Sequence, residues 1–260
     1  MLDLSVVIPA FNEADRLPKT LTEILGNLAP SGRDFEVLVV DDGSTDNTAS
    51  QTNHFREIDR RVRLLEIPCN HGKGYAVRFG VLAANGSTIL LADADGATPF
   101  TELAKLEFML DAGSDIAIGT RAARGSDQHI KAFWYRKALG FVFNAIVNLL
   151  MVDGFTDTQC GFKLFRRQAA RDLFLRQRLD GFSFDVEILL LAKLRGFKVK
   201  EVAIDWIDQP GSKVNLLIDP LKMLRDLLLI RWWTVTSVYD QPIPSHASPG
   251  VEEPVHRTNA

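Results

Sequence analysis

The sequence is poor in the residues that build sulfur and histidine chemistry. Cysteine occurs twice in 260 residues, at Cys69 and Cys160, so no disulfide framework is available and no metal-type Cys/His spacing accompanies the pair. That usage fits a reducing compartment. The histidines, His54, His71, His129, His246 and His256, form no ligand or triad spacing. There is no Gly-x-Ser-x-Gly elbow, which sets hydrolase chemistry aside. A Gly-x-x-x-x-Gly-Lys-Ser/Thr loop is absent, and no Gly-x-Gly-x-x-Gly follows the first apolar run. Those absences argue against an ATPase and against a dinucleotide enzyme. No apolar run reaches the roughly 18–20 residues of a membrane span. The stretch Ala138 to Val152 is interrupted by Asn144 and Asn148, and the one from Leu216 to Val238 by six charged or proline positions beginning with Asp219 and Pro220. The chain opens directly into Leu4-Ser5-Val6-Val7-Ile8, so no signal peptide is expected. The formal net charge of −3 gives no general attraction for nucleic acid.

What is present is an ordinary globular composition, 46% hydrophobic and 24% charged, which implies a packed core. The first half alternates short β-branched runs with helical patterns. Strands are expected at Leu4 to Ile8, Phe35 to Val40, Val62 to Ile67, Thr88 to Ala92 and Asp115 to Ile118. Between them lie helices: one after Pro18 with Leu17, Leu21, Ile24, Leu25 and Leu28 on one face, then Asp46 to Phe55, Lys73 to Ala84 and Thr101 to Leu110. That alternation implies βαβ units and a largely parallel sheet flanked by helices. In the second half, Lys131 to Val152 reads as an apolar helix, Gly161 to Phe165 as a strand, and Val186 to Arg195 as a helix. Lys198 to Trp206 reads as a strand and Leu221 to Trp233 as an amphipathic helix. From 240 onward the chain reads as a disordered tail. Basic residues cluster from Lys163 to Arg178 and from Arg121 to Lys137, which is either local phosphate-binding surface or a solvated helix face.

Polar residues gather just beyond the strands: Pro9-Ala10-Phe11-Asn12-Glu13, Asp41-Asp42-Gly43-Ser44, Asp93-Ala94-Asp95-Gly96 and Gly119-Thr120-Arg121. Open parallel sheets bind ligands at those ends. Asp93 and Asp95, two apart in extended chain, face the same way and repel unless a cation lies near, for which Mg²⁺ or Mn²⁺ is suited. By itself the pair reads equally as a turn with capping aspartates. The repetition at four strand ends favours the metal. Asp41 and Asp42 are either ribose or base contacts or a turn. Asn70-His71-Gly72-Lys73-Gly74 places an anion-friendly helix start at Lys73, although a lone lysine there is commonly just exposed. Arg121, Arg124, Arg136 and Lys213 are candidates for phosphate pairing. Phe133-Trp134-Tyr135 and Trp232-Trp233, each beside basic residues, read as core or as membrane-interface anchors.

Together, Val7-Ile8-Pro9-Ala10-Phe11-Asn12-Glu13, Val40-Asp41-Asp42-Gly43-Ser44, Gly72-Lys73-Gly74 and Asp93-Ala94-Asp95 resemble the GT-A glycosyltransferases of family 2, from about Leu4 to about Val214. The segments Asp157-Thr158-Gln159-Cys160-Gly161-Phe162-Lys163, Phe184-Asp185-Val186-Glu187 and Gly211-Ser212-Lys213-Val214 are similar to its polyprenyl-phosphate group, the dolichyl-phosphate β-glucosyltransferases in particular. The resemblance implies a Rossmann-like GT-A fold over 1–214; beyond it, the helical pattern over 215–239 reads as an amphipathic, membrane-interfacial extension and the composition of 240–260 as a disordered tail. It implies inverting transfer from UDP-glucose to a polyprenyl phosphate. GDP-mannose as donor, or a soluble or polysaccharide acceptor, are the alternatives. Pro9, Phe11, Asn12, Glu13, Asp41 and Asp42 would hold the nucleoside, with Lys73 nearby. Asp93, Ala94 and Asp95 would meet the metal and diphosphate, with Arg121 and Lys213 on phosphates. Asp157, Gln159 and Asp185 would sit by acceptor or sugar. The resemblance departs at the N-terminus, where no membrane helix is seen. A cytoplasmic protein, peripheral on the cytoplasmic membrane face, is the expectation, and the lipid is either dolichyl or undecaprenyl phosphate.

Overall fold

The computed structural model describes residues 2–121, 155–207, 209 and 219–241. The expected helix from Lys131 to Val152, the candidates Arg124, Arg136 and Lys213, and the chain from 242 onward lie outside the described residues. The strands are β1 Leu4–Ala10, β2 Phe35–Asp42, β3 Val62–Ile67, β4 Thr88–Leu91, β5 Ile116–Thr120, β6 Lys163–Arg166 and β7 Val199–Ala203. The helices are α1 Leu17–Leu28, α2 Thr48–Ile58, α3 Lys73–Ala83, α4 Leu103–Asp111, α5 Arg167–Phe174, α6 Phe184–Leu194 and α7 Asp219–Val235. The strands form one seven-stranded sheet in the order β3-β2-β1-β4-β6-β5-β7. All neighbours are parallel except β6, which runs antiparallel to both β4 and β5.

The expected alternation of strands and helices is therefore present, and its cause is visible in the burial. Central strands covered on both faces are mostly apolar; all of β2 is buried, its apolar run Val37–Val40 together with the polar Glu36, Asp41 and Asp42. Its residues divide by parity: Leu38 and Val40 enter a core with α3, α5 and α6, whereas Val37 and Val39 enter another with α1 and α4. Pro18 sits in the first turn of α1, and Leu17, Leu21, Ile24 and Leu28 are its buried stripe.

Three features differ from the sequence reading. Asp41 and Asp42 are the last residues of β2 rather than a turn after it. Helix α5 was not expected, because Arg167, Arg171 and Asp172 mask a short apolar stripe of Ala169, Ala170, Leu173 and Phe174 that is buried. The basic segment 163–178 is neither phosphate surface nor solvated face throughout. Lys163 is buried, Arg166 donates to the Ser114 and Leu110 carbonyls, and Arg176 and Arg178 donate to carbonyls of 238–241. Guanidinium groups here clamp backbone acceptors.

The last described turn, Val238–Asp240, is docked: Tyr239 is buried and its hydroxyl donates to Glu187 Oε1 at 2.8 Å. Glu187, fully buried on α6, also accepts the N–H groups of Arg178 at 3.0 Å and Leu179 at 2.9 Å. Helix α7 carries Leu227 and Ile230 into the core and leaves Leu224, Leu228, Trp232 and Val235 exposed. Among the described residues, no helix is long and apolar enough to cross a membrane.

Burial pushes the Glu187 carboxyl up to about 7, against the opposing pull of Leu179 N–H and Tyr239. The folded chain therefore holds a proton that the unfolded chain, with an ordinary value of 4.5, has released. Stability contributed by this group is present below the unfolded value and declines as pH rises through the window to about 7, by up to about 1.4 kcal/mol per pH unit. Urea unfolding across that window should show a downward slope that Glu187→Gln flattens. An unchanged slope in the variant would contradict the assignment.

Candidate active site

Strand β1 is flanked by β2 on one side and β4 on the other, so the chain order reverses at β1/β4. Ligands of open α/β sheets bind in the crevice beyond the carboxyl ends at such a point. Val7 pairs with Leu91, so the segments after β1 and after β4 emerge side by side. Strand β6 adds a contribution that a purely parallel sheet would not. Because it is antiparallel, its beginning lies at this same edge, with Lys163 opposite both Leu91 and Ile118. Gly161 is thereby brought against Asp93, with the Lys163 charge close enough to act on its carboxyl.

On the β1/β2 side the loops are cross-tied. Asn12 adopts a left-handed backbone with φ 55°, which asparagine tolerates. Its side-chain oxygen accepts Thr45 N–H at 2.8 Å and its own N–H donates to Ser44 Oγ at 2.8 Å. Glu13 N–H donates to Thr48 Oγ1, and the Glu13 carboxylate accepts Arg16 Nε at 2.7 Å. Pro9 and Phe11 are half-buried beside them. Asp41 accepts Ser44 N–H at 2.9 Å. Both oxygens of Asp42 are taken by backbone, His71 N–H at 2.9 Å and Gly72 N–H at 2.8 Å. Burial pushes Asp42 up, opposed by those two N–H groups. Its evident work is to hold the loop that leads into α3. Gly72 has φ +111°, and a Cβ there would stand 2.5 Å from the Asp180 carbonyl oxygen, so only glycine fits.

The loop delivers Lys73, whose Nζ lies 2.7 Å from Asp93 Oδ1. Burial alone would lower the lysine, but Asp93 and then Asp185 outweigh it and hold the ammonium above its ordinary value. Burial would likewise raise Asp93, yet Lys73 holds that carboxyl below the usual range. Asp95 is raised, by burial and next by the charge of Asp93. Its Oδ1 accepts Ala97 N–H at 3.0 Å, and Arg16 Nη1 stands 3.9 Å from its Oδ2. The turn between the two aspartates is pinned by Thr20 Oγ1, which donates to the Ala94 carbonyl at 2.8 Å. A small cavity bordering Asp93 is lined by Thr20, Glu23, Ala92, Gly96, Phe100 and Gly161.

The residues after β5 complete the edge. Arg121 and Asp157 form a two-pronged pair, Nε–Oδ2 2.7 Å and Nη2–Oδ1 2.8 Å, with Arg121 N–H on Oδ2 as well. The guanidinium lies 5.5 Å from the Trp206 ring centroid. Gln159 is half-buried on the same segment. Asp185, in the first turn of α6, accepts Lys163 Nζ at 2.5 Å, and that ammonium also donates to the Cys160 carbonyl. Burial pushes Asp185 up, opposed first by Lys163 and then by Lys73.

The structure thus brings part of the candidate set together. Lys73, Asp93, Asp95 and Asp185 share one electrostatic neighbourhood, and Arg121 and Asp157 border it. Sequence reasoning missed four supports. Thr20 sits on α1 and Arg16 immediately before it, where the apolar stripe commands notice. Lys163 was taken for surface charge. Gly161 has no signal of its own, yet a Cβ there would stand 2.0 Å from Asp93 Oδ2. The neighbouring Cys160-Gly161-Phe162-Lys163 order was the one clue.

Two carboxylates, one pushed up by the other's charge, form a donor set suited to a hard divalent cation that also takes water and phosphate oxygens. Among the described residues no group of three or more His, Cys, Asp or Glu gathers as a closed metal cage.

Lys163 and Asp185 are both nearly fully buried, with side chains 1% and 6% exposed. Lys163→Met leaves an unpaired carboxyl in the interior and should cost about 3–5 kcal/mol in urea unfolding. The double variant Lys163→Met/Asp185→Leu should regain most of that loss. A double variant no more stable than the single one would show that the pair is not what the lysine serves.

The sequence profile described as "Glycosyl transferase family 2" matches residues 5–174. The dolichyl-phosphate beta-glucosyltransferase of Drosophila melanogaster is 40% identical over 257 residues, covering 91% of this chain and 78% of that one. The human enzyme of the same name is 38% identical, covering 91% and 77%. The Saccharomyces cerevisiae enzyme is also 38% identical, covering 91% and 76%. Among solved structures, glucosyl-3-phosphoglycerate synthase from Mycobacterium tuberculosis with phosphoglyceric acid aligns with a TM-score of 0.64 at 18% identity, covering 94% of this chain and 82% of that one. The same enzyme with Mn²⁺, UDP and glucosyl-3-phosphoglycerate aligns at 0.63 and 18%, covering 94% and 82%. At that identity the likeness establishes the fold, a GT-A-type mixed sheet with flanking helices. The profile match, the relatives and the aspartate-lined edge agree: this chain belongs to glycosyl transferase family 2 and is a glycosyltransferase.

Proposed function

We propose that the chain transfers glucose from UDP-glucose to a polyprenyl phosphate, with inversion at the anomeric carbon. The observation that carries this reading is the Asp93/Asp95 pair at the β1/β4 crevice, taken with relatives named for glucosyl transfer to dolichyl phosphate. Pro9, Phe11, Asn12, Glu13 and Asp41 line the nucleoside end, and Asp42 fixes the loop before α3. Lys73 faces the diphosphate, and Arg121 and Lys213 supply further positive charge for phosphates. Asp157, Gln159 and Asp185 lie on the sugar or acceptor side. Asp93 and Asp95 would hold Mg²⁺ or Mn²⁺, which when bound supplies positive charge to offset that of the departing diphosphate.

The acceptor phosphate oxygen forms the new bond to C1 as the C1–oxygen bond to UDP breaks. A phosphate monoester is already an anion near neutral pH, so no strong general base is required. That accords with a site whose titratable groups are carboxylates and cations rather than histidine. The basic side chains act where negative charge grows on the leaving diphosphate. Exposed Leu224, Leu228, Trp232 and Val235 recur at helical spacing on α7, with exposed Arg225 and Arg231 beside them. That face suits the headgroup boundary of a membrane, where a polyprenyl phosphate resides, with the protein peripheral on the cytoplasmic side.

Purified protein given labelled UDP-glucose or GDP-mannose with a polyprenyl phosphate should move label into the lipid extract from UDP-glucose. A folded Asp95→Ala protein should lose about 100-fold or more of that rate. Near-normal turnover by the variant, or label entering only from GDP-mannose, would overturn the reading.

A further inference from the structure

The proposed metal pair is not free for a metal as it stands. Lys73 Nζ is bonded at 2.7 Å to Asp93 Oδ1, and its side chain is one-quarter exposed, so the pair lies at the rim and not in the core. The ammonium is drawn by three carboxylates, Asp93 most strongly, then Asp185, then Asp95. The backbone beneath it is held firmly. Asp42 grips His71 and Gly72 N–H, and Tyr75 N–H donates to the Asp180 carbonyl at 3.2 Å. Only the lysine side chain is therefore left to change partner, and Asp185 offers a second carboxylate within its field.

We propose that Lys73 is an exchangeable occupant of the Asp93 carboxylate, which opposes divalent-cation binding until a nucleotide diphosphate draws the ammonium away. This rests on the functional reading above and adds the order of events at its site. A divalent cation approaching Asp93 in the nucleotide-free protein meets a like charge already bonded to one of its two ligands. A diphosphate offers the ammonium stronger acceptors and brings negative charge of its own, so lysine and cation cease to compete. Nucleotide and metal binding are then coupled through one side chain, and by linkage each strengthens the other.

The test is Mn²⁺ binding followed by the electron paramagnetic resonance signal of the free ion, with no turnover involved. Wild type, Lys73→Met, Lys73→Gln and Lys73→Arg are titrated with and without UDP, and circular dichroism confirms the fold of each. Without nucleotide, the Met and Gln variants should bind Mn²⁺ about 10-fold more tightly than wild type, whereas Arg, which keeps the charge, should stay close to wild type. UDP should tighten Mn²⁺ binding severalfold less in the Met and Gln variants than in wild type. Adding Asp95→Asn to Lys73→Met should abolish the gain and so locate the ion. If wild type and the neutral variants bind Mn²⁺ alike, through Asp95, the exchange is refuted while the functional reading stands. If no Asp95-dependent Mn²⁺ binding occurs even with UDP, both fall.

Discussion

Four aspartates crowd the carboxyl edge of one sheet, and each is met by a cation delivered from a different element. Asp93 meets Lys73 from α3, Asp95 is faced by Arg16 from the turn before α1, Asp157 meets Arg121 after β5, and Asp185 meets Lys163 from β6. Carboxylates this close would push one another's protonation upward and the sheet edge apart if they stood alone. The rest of the architecture follows from supplying the counter-charges. Asp42 spends both oxygens holding the loop that aims Lys73. Strand β6 runs against its neighbours, which places Lys163 at the edge where a parallel strand would have placed its far end. Gly161 leaves room for the Asp93 carboxylate, where any Cβ would collide.

The pairs are of two kinds, and burial divides them. Lys163–Asp185 is nearly sealed inside, so breaking it strands a charge in a poorly solvated interior. Lys73–Asp93 and Arg121–Asp157 lie nearer the surface, with lysine and arginine side chains 25% and 38% exposed, and can exchange partners with an arriving anion. An edge built this way is prepared for a ligand with dense negative charge and needs no histidine to run the chemistry proposed for it.

Most of the parallel half of the sheet was legible in the sequence, because strands covered on both faces are mostly apolar and the intervening helices show a clear stripe. The aspartates were legible because carboxylates spaced two apart at a strand end are costly without a reason. What escaped was non-local. Nothing in Lys163-Leu164-Phe165-Arg166 announces an antiparallel insertion between β4 and β5, and a lysine among arginines reads as surface until its partner, 22 residues away, is known. Helix α5 was hidden because its apolar stripe is only a few residues wide. Asp41 and Asp42 were placed beyond the end of the strand, as ligand contacts or a turn, because aspartate disfavours strands. Tertiary hydrogen bonds to the Ser44, His71 and Gly72 backbone override that preference.

The proposed transfer requires Asp93 and Asp95 to share one divalent cation with a sugar nucleotide's diphosphate. Electron–nuclear double resonance on the Mn²⁺-loaded protein with UDP-glucose tests it directly, using ¹³C-labelled aspartate carboxyl groups. The account predicts strong coupling of the same Mn²⁺ to ³¹P of the diphosphate and to ¹³C of protein carboxylate, with the carbon coupling reduced by Asp95→Asn. Phosphorus coupling with no carboxylate coupling would mean that the ion arrives as a complex of the nucleotide alone, and would contradict the account.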